Sequence, residues 1–118
     1  MRLSEADCLG VGPSVTAALT AALDEALVMN AVELLAMIRR MRAMTMQYLA
    51  ERNQFGRPIG SFQTLQHRAV DLLIHEELTA AVIGQAIAGL DAGRPERERS
   101  SLASRAKARA SETARSEE

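Results

Sequence analysis

Residues 14–52 read SVTAALTAALDEALVMNAVELLAMIRRMRAMTMQYLAER, and contain neither glycine nor proline. Leu19, Leu23, Leu27, Ala31, Leu34, Ile38, Met41, Thr45 and Tyr48 recur in steps of three and four. That is the period of one helix face. Ser14 or Thr16 is the expected N-cap, because a side-chain oxygen there can accept an orphan backbone N–H. Met29, Met37, Met44 and Met46 lie off the stripe. A helix that is apolar on more than one side is usually central in a bundle. Acidic residues come early (Asp24, Glu25, Glu33) and arginines late (Arg39, Arg40, Arg42), the order that suits the helix macrodipole.

On either side of this stretch the punctuation is clear. Before it, residues 1–14 hold Gly10, Gly12 and Pro13 and read as a loop preceded by a remnant of strand. After it, Asn53-Gln54-Phe55-Gly56-Arg57-Pro58-Ile59-Gly60 reads as a connector, in which Pro58 prevents continuation of the first helix. Ser61 is the expected N-cap of a second helix with Leu65, Ala69, Leu72, Leu73, Ala80, Ile83, Ile87 and Leu90 on its apolar face. Gly93 and Pro95 stop it, and a short connection makes the two helices antiparallel. Pro95 suits the first turn of a third, shorter helix, with Glu96 and Glu98 near its positive end. The polar tail from Ser111 to Glu118 is expected to fray.

The whole chain has 118 residues and a net charge of −1, with 47% hydrophobic and 3% aromatic residues, one cysteine and no tryptophan. That length allows one domain and no self-contained nucleotide-cofactor fold with its own substrate domain. A single cysteine excludes a disulfide framework and a multi-cysteine zinc site. Near-zero charge argues against a nucleic-acid partner. No apolar run reaches membrane-spanning length, and acids follow Met1 too closely for a signal peptide, so a cytoplasmic protein is expected. The fold class is all-α: a partial up-down bundle whose alanine-rich core is thin.

Few residues present themselves as chemistry. His67 and His75 read as surface or interface histidines, Cys8 lacks a flanking base, and Asp24 and Glu25 point about 100° apart on a helix. The methionine-rich helix suits either a plastic core or the wall of an acyl-chain slot. The connector is different. Arg52, Asn53, Gln54, Arg57, Gln63 and Gln66 gather donors around two glycines and Phe55. A guanidinium beside a helix N-terminus suits a phosphate, and an ordinary interhelical loop is the competing reading.

The run from Tyr48 to Arg68 resembles the signature of the acyl-CoA dehydrogenase family, Arg-x-x-Phe-Gly-x-x-Ile-x-x-Phe-Gln, carried here by Arg52, Phe55, Gly56, Ile59, Phe62 and Gln63. The likeness extends along most of the chain. Residues 24–52 are similar to the first helix of the family's C-terminal domain, residues 65–93 to its second, and 94–115 to the start of its third. Asp7-Cys8-Leu9-Gly10 resembles the end of the β-domain before it. The resemblance divides the chain into an N-terminal remnant, 1–14, and a truncated helical domain, 15–118.

The resemblance implies a four-helix bundle that builds a dimer or dimer of dimers, with FAD lying between subunits. Arg52 would contact the flavin pyrophosphate, Gln54 and Phe55 would line the nucleotide site, and Gln63 would reach it from the second helix. The implied reaction is α,β-dehydrogenation of an acyl-CoA, with a carboxylate base taking the α-proton and the flavin the hydride. No residue here is assigned as catalytic or as a metal ligand. The family's usual glutamate lies downstream of the fourth helix, and the alternative position on the first helix is Ala26. Where many members have Asp-x-x-Arg, this chain reads Asp24-Glu25-Ala26-Leu27. The expected partners are a second copy or a larger dehydrogenase subunit, with acyl-CoA bound only in the assembled complex. The competing readings are a non-catalytic helical oligomerisation module and an inactive truncated reading frame.

Overall fold

A computed structural model describes residue 8 and residues 10–116. The expected strand remnant falls almost wholly on residues 1–7 and 9, outside the described residues. The described elements are α1 (Pro13–Glu51), a hairpin of β1 (Asn53–Gln54) and β2 (Arg57–Pro58), a 3-10 turn (Ile59–Ser61), α2 (Gln63–Asp91) and α3 (Glu96–Ser116). The all-α reading holds, and all three helices fall where periodicity places them.

Two helix starts differ from expectation. Neither Ser14 nor Thr16 caps α1. The helix already begins at Pro13, where the missing N–H and preset φ suit the first position. Gly12 precedes it, and the Gly12 carbonyl accepts the N–H groups of Val15 and Thr16. Nor does Ser61 cap α2. Its hydroxyl donates back to the Pro58 carbonyl (2.7 Å) and closes the 3-10 turn, so the helix starts only after Phe62. The end of α2 is as expected. Gly93 takes a left-handed φ of 59°, and Gly93 and Arg94 donate their N–H groups to the carbonyls of Leu90 and Gly89. This Schellman arrangement satisfies two of the helix's last carbonyls.

The helices run up, down and up. On α1 and α2, Arg42 meets Glu76 near the middle, and Val28 and Ile87 share a cleft near the far end. On α2 and α3, Thr79 meets Thr113 and Gly89 meets Leu102. The resulting slab measures 72 × 37 × 16 Å. Its core is Val28, Ala31, Leu35, Ile83, Ala86, Ala103, Ala106 and Ala110. The inward face of α3 is thus alanine, which adds little buried area and permits close approach of the backbones. The tail expected to fray remains helical through Ser116, because Thr113 is buried and Ala110 belongs to the core.

The inward face of the first helix takes in the middle of its apolar stripe, where Leu27 and Leu34 pack against the core, and leaves the two ends of the stripe uncovered. Its buried residues are Asp24, Val28, Ala31, Leu35 and Ile38. Of the stripe, Ala31 and Ile38 are buried, whereas Leu19, Leu23 and Tyr48 are exposed. Met29, Met37 and Met44 are exposed too. The helix is apolar on several sides, but only one of them is covered.

Polar groups within the layer are paired. Asp24 accepts the Ser100 hydroxyl (2.8 Å). The Thr79 hydroxyl donates to the His75 carbonyl (2.7 Å) and lies 2.8 Å from the Thr113 hydroxyl, which therefore donates to it. Glu76 is buried and receives Arg39 Nε (3.1 Å) and Arg42 Nε (2.5 Å). The Arg42 hydrogen bond is the largest influence on Glu76. It outweighs the upward push of burial and, with Arg39, holds the carboxyl below its usual value.

Two outcomes are expected. Thr79→Val leaves the buried Thr113 hydroxyl without its acceptor, and Thr113→Val removes the donor that the Thr79 oxygen accepts, each at about 1–3 kcal/mol. The double variant should cost less than the sum, measured by a urea-denaturation cycle. Folding lowers the pKa of Glu76, so its stabilisation is complete above the unfolded carboxyl value, about 4.3, and is lost as pH falls through the lower folded value. Glu76→Gln should cost about 2 kcal/mol at neutral pH and flatten the acid limb of stability, checked by denaturation across a pH series.

Candidate flavin-facing turn

The hairpin at the end of α1 pairs Asn53 with Pro58 and Gln54 with Arg57. Phe55 and Gly56 form its tip, with φ of 53° and 77°. Both central residues are left-handed, the pattern of a type I′ turn whose twist matches a tight hairpin. Glycine fits this geometry; phenylalanine at the first position is held there against its own preference. Its ring is 91% exposed. It meets Phe62 edge-on, with centroids 6.2 Å apart, and the Arg57 guanidinium sits 4.2 Å above the Phe62 ring.

The turn is fastened to both helices. The Arg52 carbonyl accepts the Ile59 N–H (2.8 Å), and the Gln66 amide donates to the Gly60 carbonyl (3.1 Å). Gly60 presses on the last turn of α1 so closely that a Cβ would lie 2.9 Å from the Leu49 carbonyl oxygen. Behind the turn lies an open apolar cleft of about 520 Å³, walled by Met46, Leu49, Ala50, Pro58 and Ala69.

Of the six donor side chains in the connector, three are engaged in building it. Asn53 donates to the Glu51 carbonyl, Gln66 to Gly60, and Arg57 covers Phe62. Among the described residues, Arg52, Gln54 and Gln63 make no side-chain hydrogen bond or ion pair. All three are exposed, as is Phe55. They lie at the end of α1, in β1 and at the first position of α2.

The first turn of α2 has no side-chain cap and no acidic residue. Beside it, Gln63, Thr64, His67 and Arg68 line a polar cleft of about 390 Å³. Composition does not connect Thr64, His67 and Arg68 with the turn. Their signal is helical spacing, since 67 and 68 lie one turn beyond 63 and 64. Uncapped N–H groups, the positive end of the helix and two cationic or protonatable side chains make this end attractive to an anion.

Elsewhere the candidates disperse. Asp24 is buried against Ser100, while Glu25 lies exposed on a cleft with Met29 and Val32, so the two do not form an acid–base pair. His67 is exposed, His75 is half-buried and contributes its carbonyl to Thr79, and Cys8 is exposed. Among the described residues there is no cluster of three or more His, Cys, Asp or Glu able to hold a metal, and no helix long and apolar enough to cross a membrane.

Residues 15–116 match the family described as acyl-CoA dehydrogenase, C-terminal domain. The chain is similar to acyl-CoA dehydrogenase IpdE2 of Mycobacterium tuberculosis, at 41% identity over 63 residues, which is 53% of this chain and 20% of the relative. It is similar to the protein of the same name from Mycolicibacterium smegmatis, at 42% identity over 65 residues, 55% of this chain and 21% of the relative. The matched stretch thus spans about a fifth of each of these relatives. The hairpin between two long antiparallel helices and the family match over nearly the whole helical region agree: this chain belongs to the acyl-CoA dehydrogenase family, in its C-terminal helical domain.

Proposed function

We propose that the chain is part of an FAD-dependent acyl-CoA dehydrogenase, as a fragment or small subunit, and that its hairpin forms one wall of a flavin site completed by another polypeptide or another domain. The observation that carries this reading is the division of labour in the turn. Asn53, Arg57 and Gln66 fix its shape, and the side chains of Arg52, Gln54 and Gln63 are left over for a ligand.

The donor set fits the group. A guanidinium can bind a pyrophosphate through two parallel N–H donors. Arg52 would do so, with the amides of Gln54 and Gln63 donating beside it. Phe55, held out on a rigid tip, would cover an apolar part of the nucleotide and exclude water. When bound, FAD supplies the hydride acceptor for α,β-dehydrogenation of an acyl-CoA thioester. The base position that the family resemblance offers on this helix is Ala26, which cannot accept the α-proton, and Leu27 cannot hold an anionic substrate, so the base would come from elsewhere in the assembled enzyme. Acyl-CoA would therefore bind only in the assembled complex, formed with a second copy or a larger dehydrogenase subunit. The activity belongs to fatty-acid or lipid catabolism, in the cytoplasm.

A second reading is favoured by the exposed Leu19, Leu23, Met37 and Met44 of α1: a helical module that assembles with a partner and never touches flavin. The two readings part at Arg52. In the assembled dehydrogenase, Arg52→Ala should weaken FAD retention about tenfold to a hundredfold, the worth of a charge-assisted hydrogen-bond pair. Flavin content equal to wild type would favour the second reading. The purified chain alone, mixed with FAD and an acyl-CoA, should give no dye-coupled turnover; measurable turnover would contradict the need for an outside base.

A further inference from the structure

The methionines of α1 are placed where packing has no use for them. Met29, Met37, Met41, Met44 and Met46 all lie on this helix. None belongs to the core, which is built of valine, isoleucine, leucine and alanine. A flexible thioether ordinarily fills gaps in a core. Here Met29, Met37 and Met44 are 67%, 58% and 54% exposed. Met41 and Met46 are half-buried, Met46 in the wall of the apolar cleft behind the hairpin. At about 100° per residue, Met37 and Met44 share an arc of about 60° with the exposed Leu19, Leu23 and Tyr48. Met29 borders a separate cleft with Val32 and Ile87. Leucine forms helix as well as methionine, so helix propensity does not call for sulfur at these positions. What methionine adds is an oxidisable atom within reach of solvent.

We propose that Met29, Met37 and Met44 are modification sites for hydrogen peroxide, and that their oxidation turns the uncovered surface of α1 polar while the fold stays intact. The thioether sulfur attacks one peroxide oxygen. The S–O bond forms as the O–O bond breaks, sulfur gives up two electrons, and the other oxygen takes the remaining proton and leaves as water. The product sulfoxide is a strong hydrogen-bond acceptor. Water satisfies it at an exposed position, whereas in a core it would go unpaired. The side of α1 that meets α2 and α3 presents Val28, Ala31 and Leu35, which hold no sulfur, so the contacts that build the layer are untouched. The change is reversible: a sulfoxide reductase passes two electrons from a dithiol, the thioether returns, and the oxygen leaves as water. The inference does not rest on the flavin reading, because it is measured without flavin.

The test uses the full chain in a Cys8→Ser background, so that the exposed thiol does not compete. The chain is treated with hydrogen peroxide and followed by peptide mass mapping. Met29, Met37 and Met44 should each gain one oxygen before Met41 and Met46 do. Helical circular dichroism should be unchanged, and the unfolding midpoint should move by less than about 3 °C, the scale of a surface substitution. Binding of an apolar fluorescent dye should fall, and reductases for both sulfoxide epimers, supplied with a dithiol, should restore it. A chain with Met29→Leu, Met37→Leu and Met44→Leu should keep its dye binding under peroxide. A chain with Met29→Gln, Met37→Gln and Met44→Gln should show the reduced binding without any. Oxidation of Met41 or Met46 as fast as the exposed three overturns the proposal. So does a larger fall of the midpoint with loss of helix, equal loss of dye binding in the leucine variant, or failure of the reductases to restore it.

Discussion

A buried carboxylate between two arginines sets the geometry on which the rest of this layer depends. Glu76 lies at mid-length on α2 and takes hydrogen bonds from Arg39 and Arg42, one turn apart on α1. An unpaired charge at this depth would be far more costly than any alanine contact nearby. The two long helices can therefore meet only with these groups in line. That fixes how far α1 projects past the start of α2, and so where the hairpin joining them must lie. Arg52, Gln54 and Gln63, the donors the turn leaves free, are thus positioned by an ion pair several helical turns away.

The sequence was legible where backbone chemistry leaves little choice. An unbroken run without glycine or proline, then Gly56 and Pro58, then Gly93 and Pro95, is enough to place three helices and their turns. It was less legible where hydrogen bonds compete locally. Ser14 and Ser61 both look like caps, yet Pro13 starts one helix early and the Ser61 hydroxyl is taken by Pro58. Periodicity also marks apolar faces without saying which will be covered. On α1 two such faces adjoin, and the small residues of α3 select the one bearing Val28, Ala31 and Leu35. The stripe from Leu19 to Tyr48 is real, but its two ends face outward and only its middle is covered.

The candidate site was legible as a motif and not as a shape. Six donors in the connector look alike in composition. Only the fold separates Asn53, Arg57 and Gln66, which build the turn, from Arg52, Gln54 and Gln63, which it presents. Nothing in the residue order announces that Phe55 adopts a left-handed conformation, since the preference of phenylalanine is against it. The hairpin imposes it, because two central residues with positive φ are needed for strands this short to pair.

The alanine face of α3 has one more consequence. Ala103, Ala106 and Ala110 are so alike that sliding the helix by one turn along its groove would replace each with a neighbour of nearly the same size. Dispersion alone would distinguish such slipped states poorly. Two hydrogen bonds near opposite ends remove the ambiguity, Ser100 to Asp24 and Thr113 to Thr79. They work like the pins of a ruler, indexing a surface that has no graduations of its own. Polar groups that add modestly to the depth of the native well thus do most to make it unique.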